Sequence, residues 1–202
     1  MRKNPVVVTL YNFLLAVASG VVGAILASGP LLAIFVKLQK TDALVHQPLH
    51  VIMHNYWELL GYLLSPFNNT LHMTNFPTSA NAAEHFYECK LLFILAVIVF
   101  LIGVILSCYA KWRKQKHFMT LNKSLALTMM LIPVIILPFA AVDFDEFFVI
   151  FHHIFFHNSN WLFDPATDPI INVLTEGFFA ACFAVFGVIY ELYFARFLVK
   201  NK

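Results

Sequence analysis

The sequence predicts an all-α integral membrane protein, with four transmembrane helices and a small extracytoplasmic cap formed by two loops. Three observations lead there. Of the 202 residues, 60% are hydrophobic and only 12% charged, with a mean hydropathy of +0.77; lipid can solvate that surface and water cannot. Four apolar stretches are long enough to cross a bilayer, which takes about 20 helical residues. Ten of the thirteen basic residues fall on one side of a four-span arrangement.

The first stretch covers about 6–28 and meets a break at Ser28-Gly29-Pro30, with a restart toward Phe35 as the alternative. It is longer than the apolar core of a signal peptide, and Ala27-Ser28-Gly29 is an indifferent cleavage site, so it is expected to be retained. The second stretch, about 91–110, is the cleanest. The third, about 124–142, contains Pro133 and Pro138, which should kink it toward its outer end and free carbonyls for other partners. The fourth, about 171–198, has Glu176 near one end and Glu191 near the other. The length allows a single membrane domain over 1–202.

Orientation follows from the basic residues. Arg2 and Lys3 precede the first span; Lys111, Arg113, Lys114, Lys116 and Lys123 fill the connection between the second and third; Arg196, Lys200 and Lys202 close the chain. The positive-inside rule places both termini in the cytoplasm of a multi-pass cell-membrane protein. Cys89, Cys108 and Cys182 are odd in number and two lie within spans, so no disulfide framework is implied.

Two segments, about 37–90 and 143–170, remain outside. They hold eight of the nine histidines and nine of the eleven acidic residues. Each is too short to bury a core alone and too apolar for a solvated loop. The first should contain a helix from about Pro48 to Ser65; the second carries a run from Asp145 to His157 with Phe on nearly every face. Both should seat on the spans as a cap.

Three constellations stand out. His46, His50 and His54 recur every four residues, which would stack them on one helix face where imidazoles can bind zinc or a similar metal. The plainer alternative is a half-exposed face near lipid headgroups. In Glu84-His85-Phe86-Tyr87-Glu88, His85 and Glu88 share a helix face, and a carboxylate beside an imidazole raises its basicity. Composition alone favours an ordinary charged lip there. His152, His153 and His157 lie near Asp143, Asp145 and Asp164, with Trp161 and Tyr56-Trp57 suited to anchor at the interface; together these lean toward function. No serine elbow, phosphate loop or nucleotide fingerprint occurs, and nucleic acid is not an expected partner.

Several of these motifs resemble one bacterial family. They are Tyr62-Leu63, Glu84-His85-x-x-Glu88, Phe151-His152-x-x-Phe155-Phe156 and Trp161-x-Phe163-Asp164-Pro165, in this order on a four-span chain. The pattern is similar to that of the lipoprotein intramolecular transacylases, and the similarity covers essentially the whole chain. It implies an acyltransferase without metal or cofactor, acting on a diacylglyceryl-modified lipoprotein within membrane lipid. The sn-2 acyl chain would move to the N-terminal cysteine amine, giving the lyso form. The resemblance implies two catalytic histidines, His85 and either His152 or His157. Glu84, Glu88, Asp145 and Asp164 would orient them, while Tyr56, Tyr62, Phe151, Phe155 and Trp161 would support or line the substrate.

Two rivals differ in class. One is a metal-dependent membrane hydrolase on His46, His50 and His54, which a chelator would silence. The other is a non-enzymatic assembly or transport protein. Span centres without paired ionisable groups argue against an ion path, and clustered histidines would have no task in a scaffold.

Overall fold

Side-chain caps open most of the helices. In the computed structural model, which describes residues 4–115 and 119–199, helix α1 covers Pro5–Gln39, with Asn4 accepting the Val6 N–H at 3.1 Å and proline at the first position, where its missing donor is harmless. Helix α2 (Thr41–Leu44) is a single turn, and α3 covers Leu49–Leu64. Helix α4 (Ala80–Trp112) begins at Ser79, whose hydroxyl accepts the Ala82 N–H at 3.1 Å. Helix α5 (Lys123–Val142) is capped by Asn122 on the Leu125 N–H at 2.8 Å, and α6 (Phe144–Phe155) by Asp143 on the Glu146 N–H at 2.9 Å. A 3₁₀ turn at Pro169–Asn172 precedes α7, Glu176–Val199. Arg2, Lys3, Lys116, His117, Lys200 and Lys202 lie outside the described residues.

Helices α1, α4, α5 and α7 are long and apolar enough to cross a membrane. Helix α1 packs along α7 and α4, and α5 packs along α7. Glycine permits the central contact: a Cβ on Gly20 would lie 2.6 Å from the Phe186 ring, and one on Gly23 would lie 2.0 Å from Ile189. The outer faces, including Leu101, Ile105, Leu131 and Ile135, are exposed and apolar, as lipid-facing surface must be.

Two clusters bind the bundle. At one end Leu32, Val36, Ile52, Leu59, Ile170 and Val173 are packed among α1, α3 and the 3₁₀ turn. At the other, Tyr190, Tyr193 and Phe194 pack on Leu15 and Ala126. There the buried Asn12 donates to the carbonyls of Val8 and Met119 at 2.8 and 3.2 Å and accepts the Tyr193 hydroxyl at 2.9 Å, so its amide is satisfied.

The cap sits on the first of these ends. Helix α3 lies on α1 and α4, and α6 on α5 and α7. The strap 65–79 is tied down by Glu58, which accepts the Thr74 N–H and hydroxyl at 2.7 and 2.6 Å, and by Asn55, which accepts the Asn75 N–H at 2.7 Å. Lys90, buried in α4, donates to the Asn68 carbonyl and lies 4.4 Å over the Tyr62 ring. Asp168 accepts the Ser79 N–H at 2.6 Å, which joins the two cap segments at the start of α4.

Several helix bounds differ from those expected. Helix α1 does not break at Ser28-Gly29-Pro30. Proline removes one helical hydrogen bond, while Leu32 and Val36 beyond it are completely buried, and packing outweighs the loss. Helix α4 starts well before 91, because Glu84, Glu88 and Lys90 lower hydropathy without interrupting the backbone ladder. The expected stretch 171–198 divides into the 3₁₀ turn and α7. In α5, Pro133 leaves the Met129 carbonyl without its helical donor, and the Tyr190 hydroxyl bonds it at 3.1 Å.

Candidate active site

Because Ser79 caps α4 at Ala80, its first turns point Ala82, His85, Phe86 and Lys90 inward, while Glu84 and Tyr87 stay exposed. His85 is 6% exposed. Its Nε2 lies 3.4 Å from the Cys89 Sγ, and its Nδ1 lies 3.8 Å from Glu88 Oε2. Glu88 is fixed from the other cap segment, since its Oε1 accepts the Asn158 amide at 2.7 Å.

His152 occupies the last turn of α6, also 6% exposed. Its Nδ1 lies 2.7 Å from the Phe148 carbonyl. A carbonyl can only accept, so Nδ1 carries the hydrogen and Nε2 of the neutral ring keeps its lone pair. Burial holds the His152 pKa below the usual imidazole value; the Phe148 carbonyl opposes that shift and His153 adds to it.

The two imidazoles come together across the chain. Their ring centroids are 5.5 Å apart, inside a shell of aromatic rings. Phe156 lies 4.6 Å from His85 and 5.5 Å from His152; Phe163 lies 5.7 Å from His85; Phe148 and Trp161 lie 4.0 and 4.7 Å from His152. Such a site can pass protons between nitrogen and oxygen while excluding bulk water.

The other expected residues are placed differently. His157 is exposed in the turn after α6, and His153 is exposed with its ring edge on Trp161 at 5.6 Å. Trp161 is not an interfacial anchor: it is buried, and its indole N–H donates to the Asn158 carbonyl at 3.0 Å. Phe151 packs on Phe155 at 4.8 Å and on Phe183 of α7 at 5.3 Å. Asp145 is exposed, and Asp164 shapes its own loop by accepting the Ala166 N–H at 2.9 Å. Tyr56 is buried against Phe178, and burial pushes its phenol up to about 12. Tyr62 is buried beneath Lys90. The sequence assigned no role to Phe148, Phe156, Phe163 or Asn158; Phe156 and Phe163 lie within the motifs that carry the resemblance, whereas nothing marked Asn158.

The histidine ladder does not form. His46 lies in the turn before α3 with φ 52°, so only His50 and His54 share the helix, and His54 Nε2 faces Glu58 at 3.3 Å. Among the described residues, no three His, Cys, Asp or Glu side chains converge as a metal-ligand group.

Four spans, a cap, and two buried imidazoles at their junction define a multi-pass membrane protein with a histidine pair enclosed by aromatic rings. The family model for lipoprotein intramolecular transacylase Lit matches residues 6–179. The in meso structure of the membrane integral lipoprotein intramolecular transacylase Lit from Bacillus cereus superposes with a TM-score of 0.77 at 25% identity, covering 96% of this chain and 92% of that one. Structures of the same protein with H85R and H85A mutations superpose at TM-scores of 0.65 and 0.64, each at 24% identity and 96% coverage of this chain, over 88% and 91% of theirs. No curated protein sequence matches. The chain is an integral membrane acyltransferase, and it belongs to the lipoprotein intramolecular transacylase Lit family.

Proposed function

We propose that the protein moves the sn-2 acyl chain of a diacylglyceryl-cysteine lipoprotein to the N-terminal cysteine amine. The product is the N-acyl, S-monoacylglyceryl (lyso) form. The observation that carries this reading is the His85–His152 pair, buried under aromatic rings at the cap end of the bundle. Both reacting groups belong to one substrate, and folding them together can contribute several kcal/mol by removing a bimolecular encounter.

An α-amine has an unperturbed pKa of about 7.7–8.0 and must be neutral to attack. His85 takes its proton. The amine nitrogen bonds to the ester carbonyl carbon, and the carbon–oxygen bond to glycerol breaks. The proton taken by His85 passes through the Nε2 of His152, which is free to gain and return it, to the departing glycerol oxygen. Phe156, Phe163, Phe148 and Trp161 keep water from competing with the amine. The exposed position of His157 and the burial of His152 beside His85 support His152 in the second histidine role. A histidine is also the residue replaced in two of the similar structures.

The cap, and with it this pair, lies on the extracytoplasmic side, with both termini in the cytoplasm. The clustering of basic residues at the opposite ends of the spans supports this orientation.

Tandem mass spectrometry of a model lipoprotein's N-terminal peptide, from cells with and without the protein, tests the reaction. Transfer of one acyl group from glycerol to the amine, with total acyl count unchanged, is expected. An unchanged diacylglyceryl peptide beside correctly inserted protein would overturn it.

A further inference from the structure

Four buried side-chain polar atoms among the described residues lack a hydrogen-bond partner: Thr41 Oγ1, His85 Nδ1, Glu88 Oε2 and Glu191 Oε1. Two of them face each other, because His85 Nδ1 and Glu88 Oε2 are 3.8 Å apart. The rest of each side chain is occupied. Glu88 Oε1 holds Asn158 at 2.7 Å, and His85 Nε2 is 3.4 Å from the Cys89 thiol.

A hydrogen on Nδ1 pointing at a carboxylate would draw the pair to about 2.7–2.9 Å. The wider gap instead suits two acceptors facing one another, with the ring hydrogen on Nε2 toward sulfur. Two acceptors, one anionic, call for a cationic group with several N–H donors. Both facing atoms are buried, but the Glu88 side chain is 27% exposed overall, so an incoming group approaches them from the exposed side of that carboxylate.

We propose that Glu88 Oε2 and His85 Nδ1 together form the receptor for the α-ammonium group of the lipoprotein's N-terminal residue. This rests on the transacylase reading and adds how the enzyme selects a free amine. Glu88 is then a specificity-determining residue that touches substrate. The ammonium donates one N–H to Glu88 and one to His85. Of its three hydrogens, one stays on the product amide, one passes to the glycerol oxygen as the carbon–oxygen bond breaks, and one leaves through His85 to water. The product nitrogen is a neutral amide with a single donor, so the charge match vanishes on transfer and the product is released.

The test uses the full chain in lipid nanodiscs and two dialkyl-ether glyceryl cysteine peptides, one with a free amine and one N-acetylated. The ether linkage offers no acyl group, so binding is read without turnover. The intact protein should bind the free amine about tenfold or more tightly, a difference of about 1.4 kcal/mol. Glu88→Gln, which keeps an oxygen for Asn158, should lose this preference, and Glu88→Asp should keep most of it. Equal binding of both peptides by the intact protein, or an undiminished preference in correctly inserted Glu88→Gln protein, would overturn the proposal. The ester-linked peptide, run in parallel, separates the two ideas: conversion without an amine preference sinks the receptor alone, whereas no conversion sinks the transacylase reading itself.

Discussion

The imidazole of His85 on α4 and that of His152 on α6 lie with ring centroids 5.5 Å apart, both 6% exposed. No helix–helix seam brings them together. His85 enters because Ser79 fixes where α4 begins, and His152 because it continues the face of α6 on which Phe144 and Phe148 pack against α7. Phe156 touches both rings and closes the space between them.

His152 should contribute a pH dependence to stability. Its folded pKa is lowered from 6.5, first by burial. The folded state therefore favours the neutral ring. The stability this supplies is complete above 6.5 and falls as pH drops from 6.5 toward the folded value, where the unfolded chain binds the extra proton. Thermal unfolding in detergent should show a loss of stability across that window that His152→Asn reduces. A rise in stability on acidification through the same window would contradict the assignment.

Asn158 joins the cap loop to Glu88 by one hydrogen bond to a carboxylate. Asn158→Ala should cost about 1.5–3 kcal/mol of stability, seen as a lower midpoint of thermal unfolding. Acyl transfer should fall as well, since Glu88 would no longer be held near His85. An unchanged midpoint and rate would show the contact to be incidental.

Trp161 covers His152 with its rings inclined by 32° and donates to the Asn158 carbonyl. Trp161→Phe keeps a ring and loses the hydrogen bond, and transfer should fall by less than about tenfold. Trp161→Ala admits water beside His152, so released free fatty acid should rise relative to N-acyl product. Thin-layer chromatography of a radiolabelled lipopeptide reads both. An unaltered product ratio in Trp161→Ala would remove water exclusion as its role.

The exposed histidines offer a contrast. His50 and His54 lie on the outer surface of α3, away from the ring cluster. Replacing both by alanine, or assaying in a strong chelator, should leave transfer within about twofold of the intact protein, as is usual for surface substitutions. Loss of activity in chelator, restored by added metal, would revive the metal-dependent alternative.

The number of spans was legible from hydropathy, because lipid demands apolar surface wherever it touches. Their ends were not. The start of α4 at Ala80 is set by hydrogen bonding at Ser79, to which hydropathy is blind. Pro30 reads as a breaker only while the burial of Leu32 and Val36 is unknown. In the site, Glu88 beside His85 was visible because spacing on one helix fixes their proximity. The choice between His152 and His157 was not visible, since it turns on where α6 ends and the chain bends at Phe156. Trp161 read as an interfacial anchor because an indole suits either a membrane surface or a buried ring stack with a carbonyl partner. Asn158 carried no signal, because its role depends wholly on an acid in the other cap segment.

The central claim is that His85 and His152 move the protons of acyl transfer. The most direct measurement is the rate at which purified protein in lipid vesicles converts a diacylglyceryl lipopeptide, followed by tandem mass spectrometry, for the intact chain, His85→Ala and His152→Ala. Intact protein should give N-acyl, S-monoacylglyceryl product, and each variant, shown to be folded by its unfolding transition, should be slower by about 10²-fold or more. Conversion by either folded variant at the intact protein's rate would contradict the account.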